Sequence, residues 1–198
     1  MNNYEYIIAS LPVLTTDAQT RRKLDFDAMV KEIKGHCSNS DKALIESLLN
    51  GFCEDSLDEA FYRKALASRN AFIRGYFTAD LKLRNAKVRY LNRQLDRSEN
   101  QDIFLEADCT PEENRRLESI FAVSDILGRE RAMDDFLWES IDSMLLFHVF
   151  DIDVILGFIA KLHIICRWDR LDEEKGRELF RRLVGEVKGT FKGVEYSE

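Results

Sequence analysis

Breakers of regular structure are scarce: 198 residues hold two prolines and nine glycines. So few argue against a many-turned β-protein and for long uninterrupted helices. The four cysteines, Cys37, Cys53, Cys109 and Cys166, share no CxxC spacing. The opening Met1-Asn-Asn-Tyr-Glu lacks the basic start and apolar run of a secretory leader. Both features point to a reducing cytoplasm, with the cysteines as small core or surface residues. No stretch suits a bilayer span. The most apolar region, 144–166, is interrupted by Asp151, Asp153 and Lys161. Its longest uncharged run, Ser143–Phe150, falls far below the ~20 apolar residues a spanning helix needs.

Catalytic signatures are missing too. There is no GxxxxGK[ST], GxGxxG or GxSxG, so a phosphate cradle and a nucleophile elbow are not expected. A di-iron bundle needs Glu-x-x-His on a helix face, but Ile33, Leu145 and Ala160 stand three residues before His36, His148 and His163. His163 with Cys166, and His148 with Asp151, each place two ligands on one face, where zinc requires three or four. No metal and no cofactor are expected. Asp134, Asp135, Glu139 and Asp142 form an acidic group on one helix; with His148 they are the best set for acid–base chemistry, and more simply a solvated face.

What is present is a folded, charge-rich chain: 45% hydrophobic and 33% charged residues, with a formal net charge of −7. The balance argues against nucleic acid as a partner. It also hides an asymmetry. Residues 61–97 carry ten Lys/Arg against two Asp/Glu; residues 98–155 carry fifteen Asp/Glu against four Arg. Either the two segments pack side by side and neutralise each other, or one face is offered to a partner.

Helical spacing recurs along the chain. Tyr4–Pro12 is short and apolar, open to helix or strand. Thr15–Lys23 reads as a polar loop. Phe26, Met29, Val30 and Ile33 mark a helix with Gly35 as C-cap. Ser40 or Asp41 caps a second one, and Ser56–Glu59 fits a capping box. Over 70–97, Phe72, Tyr76, Ala79, Leu83, Ala86 and Tyr90 form one apolar stripe; Phe77, Leu81, Val88, Leu91 and Leu95 form another. Two stripes predict a central spine of roughly 40 Å. Its polar surface carries Lys82, Arg84, Lys87, Arg89 and Arg93, the candidate protein interface. Residues 98–109 read as an acidic connection or hinge. Thr110-Pro-Glu-Glu113 is a strong helix start. Further helices are expected over 124–150, 153–169 and from 172 on, the last burying Leu179, Phe180, Leu183, Val184, Val187 and Phe191. Trp138 and Trp168 are expected as core or interface anchors. The prediction is an all-α multi-helix bundle with long central helices. It forms one domain over 1–198, or two lobes (1–97 and 110–198) joined at 98–109.

Three stretches carry a resemblance: Tyr4–Pro12, Arg69–Asn85 and Arg167–Phe180. Together they resemble an uncharacterised bacterial family encoded with V/A-type ATPase subunits. That family is itself similar to a shortened form of the stalk-to-ring subunit, the one known as C in V/A-type ATPases and as d in eukaryotic complexes. The stalk-to-ring subunit is an all-helical protein joining the central stalk to the membrane ring. The resemblance implies a fold of that kind and a non-catalytic coupling or assembly role through protein contacts with other ATPase subunits. It also implies a peripheral place at the inner face of the membrane, with no insertion. The alternative function is a free-standing adaptor using the acidic 98–155 face.

Overall fold

The computed structural model describes residues 4–16, 23–170 and 173–190. The described residues form helices and no strand. In order they are α1 (Glu5–Ser10), α2 (Phe26–His36), α3 (Asn39–Asn50), α4 (Glu59–Leu66), α5 (Ala71–Gln94), α6 (Pro111–Phe121), α7 (Ile126–Leu145), α8 (Ile152–Asp169) and α9 (Glu173–Thr190). The all-α expectation holds. Part of the polar loop expected over 15–23 lies outside the described residues.

Local chemistry starts most helices. Asp25, Ser38, Asp58, Asn70, Asp125 and Asp151 each accept a first-turn amide, satisfying a donor that the helix leaves open. At α6 the expected capping box is complete: Thr110 Oγ1 accepts from Glu113 N, and Glu113 Oε2 accepts from Thr110 N at 2.8 Å. Other boundaries shift. Ser38, not Ser40 or Asp41, caps α3, and Asp41 instead accepts from Ser38 Oγ at 2.8 Å. Asp58 caps α4 because residues 54–56 are taken up by a short 3-10 turn. Helix α2 runs past Gly35 to His36, and Cys37 closes it. Helix α7 stops at Leu145, since the chain turns through 146–150 before Asp151 starts α8.

Helix α5 packs against α3, α4, α6, α7 and α8, and α8 packs against α2, α3, α5 and α7. The core therefore has two axes. Phe72, Ile73, Tyr76, Phe77, Leu81 and Leu83 are buried on α5. On α8 almost every residue from Ile155 to Cys166 is buried, as suits a helix apolar all round. The α5 stripes fade toward its C-terminus: Leu91 is 46% and Leu95 58% exposed. Helices α7 and α8 approach closely at Gly157, where a Cβ would lie 2.4 Å from Leu145 Cδ1. The α3 C-cap Gly51 likewise leaves room for the buried Phe77 ring, 2.2 Å from a built Cβ.

The acidic connection after α5 is fastened to that helix. Asp96 adopts a left-handed φ of 52°, and Arg97 N bonds back to Asn92 O at 2.9 Å, closing the helix end. Asn85 Nδ2 donates to Leu105 O (2.9 Å), and Asn92 Nδ2 to Gln101 O (2.7 Å). Both asparagines are buried, so their side chains satisfy carbonyls of the strap that α5 covers.

Candidate functional site

The five basic residues of the spine point at the acidic half. Lys82 Nζ lies 2.7 Å from Glu113, Lys87 3.7 Å from Glu130, Arg89 2.7 Å from Glu106 and Arg93 3.5 Å from Glu99. The Arg84 guanidinium sits 4.8 Å from the Phe104 ring centroid. The two charge blocks are thus neighbours, and four of these five cations pair with carboxylates inside the molecule.

The acidic group of α7 is dispersed in the same way. Asp134 is buried and accepts from Arg167 Nη2 (2.5 Å) and Trp168 Nε1 (2.6 Å). Burial raises its pKa against the pull of those partners. Glu139 pairs with Arg116 at 2.6 Å, and Asp142 with Lys161. His148 lies elsewhere, with Nδ1 2.6 Å from Asp151 of the α8 cap. Asp153 joins that cap to the α5 cap, Asn70. These carboxylates do not converge on a common point.

A half-buried carboxylate, Asp80, accepts from Tyr62 Oη at 2.5 Å. Burial raises its pKa, with Tyr62 and Arg84 acting against that rise. Sequence periodicity missed it because it lies between two apolar stripes. The Trp168 ring lies 4.9 Å from Arg131, and Trp138 lies 4.6 Å from the Lys161 ammonium, so both tryptophans anchor charged stems beside α7 and α8. His163 stacks on Phe52 with centroids 4.0 Å apart. Cys166 Sγ contacts the Leu24 carbonyl instead, at 3.6 Å. Among the described residues no group of three or more His, Cys, Asp or Glu converges as a metal set, and no helix is long and apolar enough to cross a membrane.

Several large apolar side chains stand exposed among the described residues. Helices α5 and α7 run antiparallel: Gly75 faces Met144 at one end, while Arg129 lies 4.6 Å from the Tyr90 ring at the other. At the first end the α7–α8 turn exposes Leu146 (72%), Phe147 (91%) and Val149 (62%), with Phe150 alongside. Helix α1 starts against this turn, since Tyr4 N donates to Phe150 O at 2.8 Å. It adds Tyr6, which is also exposed. At the second end Leu91, Leu95, Ile126 and Leu127 are exposed. The length of α7 separates the two ends by ~30 Å. Helix α9 adds a third such surface: Leu179, Phe180 and Leu183 are exposed. This corrects the expected burial of those three residues, because no other described element covers them. Val184 is half-buried, and the side chains of Val187 and Phe191 lie outside the described residues.

A family model described as a protein of unknown function, DUF2764, matches residues 52–190. No curated protein and no solved structure matches the chain.

Proposed function

The chain belongs to the DUF2764 family, whose description carries no function, and we propose that it is a non-catalytic coupling or assembly subunit of a V/A-type rotary ATPase. The reading rests on the resemblance of Tyr4–Pro12, Arg69–Asn85 and Arg167–Phe180 to a shortened stalk-to-ring subunit. It is supported by the all-helical fold, which suits that comparison.

The observation that carries the role is bipolarity. Large apolar side chains are rarely left clustered in solvent without a partner, and here they stand exposed at both ends of the packed α5–α7 pair. A piece that joins two other subunits needs two such contacts at a fixed spacing. The Leu146–Phe150 turn with Tyr6 would seat against one subunit, and the Leu91, Leu95, Ile126 and Leu127 end against another. Peripheral placement at the membrane face would come through those subunits. The adaptor reading based on the acidic face has less support, because Glu99, Glu106, Glu113 and Glu130 already meet the basic spine.

Photo-crosslinking in the native cell tests the role. A benzophenone side chain at position 147 should capture one ATPase subunit, and at position 127 a different one. Capture of no ATPase subunit from either position overturns it.

A further inference from the structure

Outside the two apolar ends, α2, α3 and α8 frame an open cleft of about 480 Å³. Its floor is aromatic. The Phe52 and His163 rings stack nearly parallel at 4.0 Å, and Phe26 stands edge-on at 6.3 Å from Phe52 and 5.7 Å from His163. Val30 and Leu49 complete the apolar lining. Burial, with Arg167 and Arg170 nearby, lowers the His163 pKa to about 4. The imidazole is therefore neutral near pH 7, and it behaves as a third aromatic face with ring nitrogens still able to hydrogen-bond. Among the described residues nothing bonds those nitrogens, although much of the side chain is inside.

The rim is cationic. Lys31 on α2 and Arg170 at the α8 C-cap are exposed and line the cleft. Among the described residues neither meets a carboxylate. Lys34, also in the lining, is paired with Glu46, and Asp27 is the one carboxylate there. The contrast with the spine is direct: four cations of α5 pair with carboxylates, while Lys31 and Arg170 face outward at the mouth of an aromatic floor.

We propose that this cleft docks an acidic peptide segment of a partner protein. An aromatic or aliphatic side chain of the segment seats against the Phe52–His163 stack, and its carboxylates meet Lys31 and Arg170. An apolar anchor in a desolvated pocket supplies affinity; the rim cations supply steering and sign selectivity. The open shape suits a passing backbone better than an enclosed ligand would. The inference stands apart from the rotary-ATPase role: the cleft needs an acidic segment, whatever protein bears it.

Selection of a random dodecapeptide display library on the full chain tests this. Enriched sequences should combine several Asp or Glu with a Phe, Trp, Tyr or Leu anchor. A synthetic copy of the most enriched peptide should shift the His163 ring resonances and weaken as salt rises. The exposed pair Lys31→Glu and Arg170→Glu should cut its affinity by about tenfold or more while leaving the melting curve in place. His163→Phe keeps the stack and should preserve binding in part; Phe52→Ala should lose it. No enrichment, enrichment of neutral or basic sequences, or binding indifferent to K31E/R170E overturns the proposal. So does a concentration-dependent dimer that occupies the cleft.

Discussion

Lys82 Nζ sits 2.7 Å from Glu113 Oε1, and the same Glu113 carboxylate closes the capping box of α6 on Thr110 N. One side chain therefore ties the basic spine to the start of the acidic half. The Lys82 side chain is only 12% exposed and Glu113 34%, so the pair is better shielded than the other spine contacts. Replacing Lys82 with Met should destabilise the fold by about 1 kcal/mol, toward the upper end for a partly screened pair. Urea denaturation measures it. Reversing Lys82, Lys87 and Arg89 together should lower the melting temperature clearly, because three contacts to the acidic half then repel.

The same pair sets an acid limb. The hydrogen bond from Lys82 is the largest cause lowering the Glu113 pKa, with Thr110 adding to it. An unfolded glutamate titrates near ~4.3. A lowered folded pKa means the stabilisation is whole above that value and is lost as pH falls through the folded pKa. The difference in stability between wild type and Lys82→Met should therefore shrink below about pH 4. A constant difference down to strong acid would contradict the linkage.

Asp80 has the opposite sign. Its pKa is raised, chiefly by burial, so the folded chain binds its proton more tightly than the unfolded chain does. Stability then falls as pH rises through the interval between the unfolded and folded values. Asp80→Asn keeps an acceptor for Tyr62 and removes a partly desolvated charge. The variant should melt higher than wild type at pH 7, and the advantage should vanish in acid, where Asp80 is protonated. A lower melting temperature at pH 7 would show that Arg84 offsets the burial of that charge.

Gly51 and Phe77 test packing. A Cβ on Gly51 would overlap the Phe77 ring, with two ring carbons 2.2 and 2.3 Å away, and that ring is fully buried. Gly51→Ala should cost about 1–3 kcal/mol, the usual range for overpacking. Phe77→Leu should recover part of the loss in the double variant, read as a positive coupling in a mutant cycle.

Much of the architecture was legible. The α5 stripes, the Thr110–Glu113 start and the acidic strap are set by neighbours within a few residues, and local rules reach that far. Caps at Ser38 and Asp58 were misplaced by two or three residues because several Ser and Asp compete there, and at Asp58 the 3-10 turn settles the choice. The α9 stripe shows the limit of periodicity: Leu179, Phe180 and Leu183 have core-like spacing and lie exposed. Spacing reports that a face is apolar, not that this chain covers it. The basic residues of α5 were found by charge counting, but their direction was not. Pairing across 17 or 31 residues, as in Arg89–Glu106 and Lys82–Glu113, depends on the tertiary approach of α5 to the strap and α6. The aromatic cleft was missed outright, since Phe26, Phe52 and His163 come from three distant segments.

The proposed role requires physical membership of a rotary ATPase through the two apolar ends. The most direct measurement is affinity purification of the V/A-type ATPase from the native cell, comparing wild type with Phe147→Asp/Val149→Asp. Both sites are exposed, so the variant should melt like wild type. The wild-type chain should co-purify in fixed ratio with the ATPase subunits, and the variant should be lost from the complex. An intact ATPase that never contains the chain would contradict it.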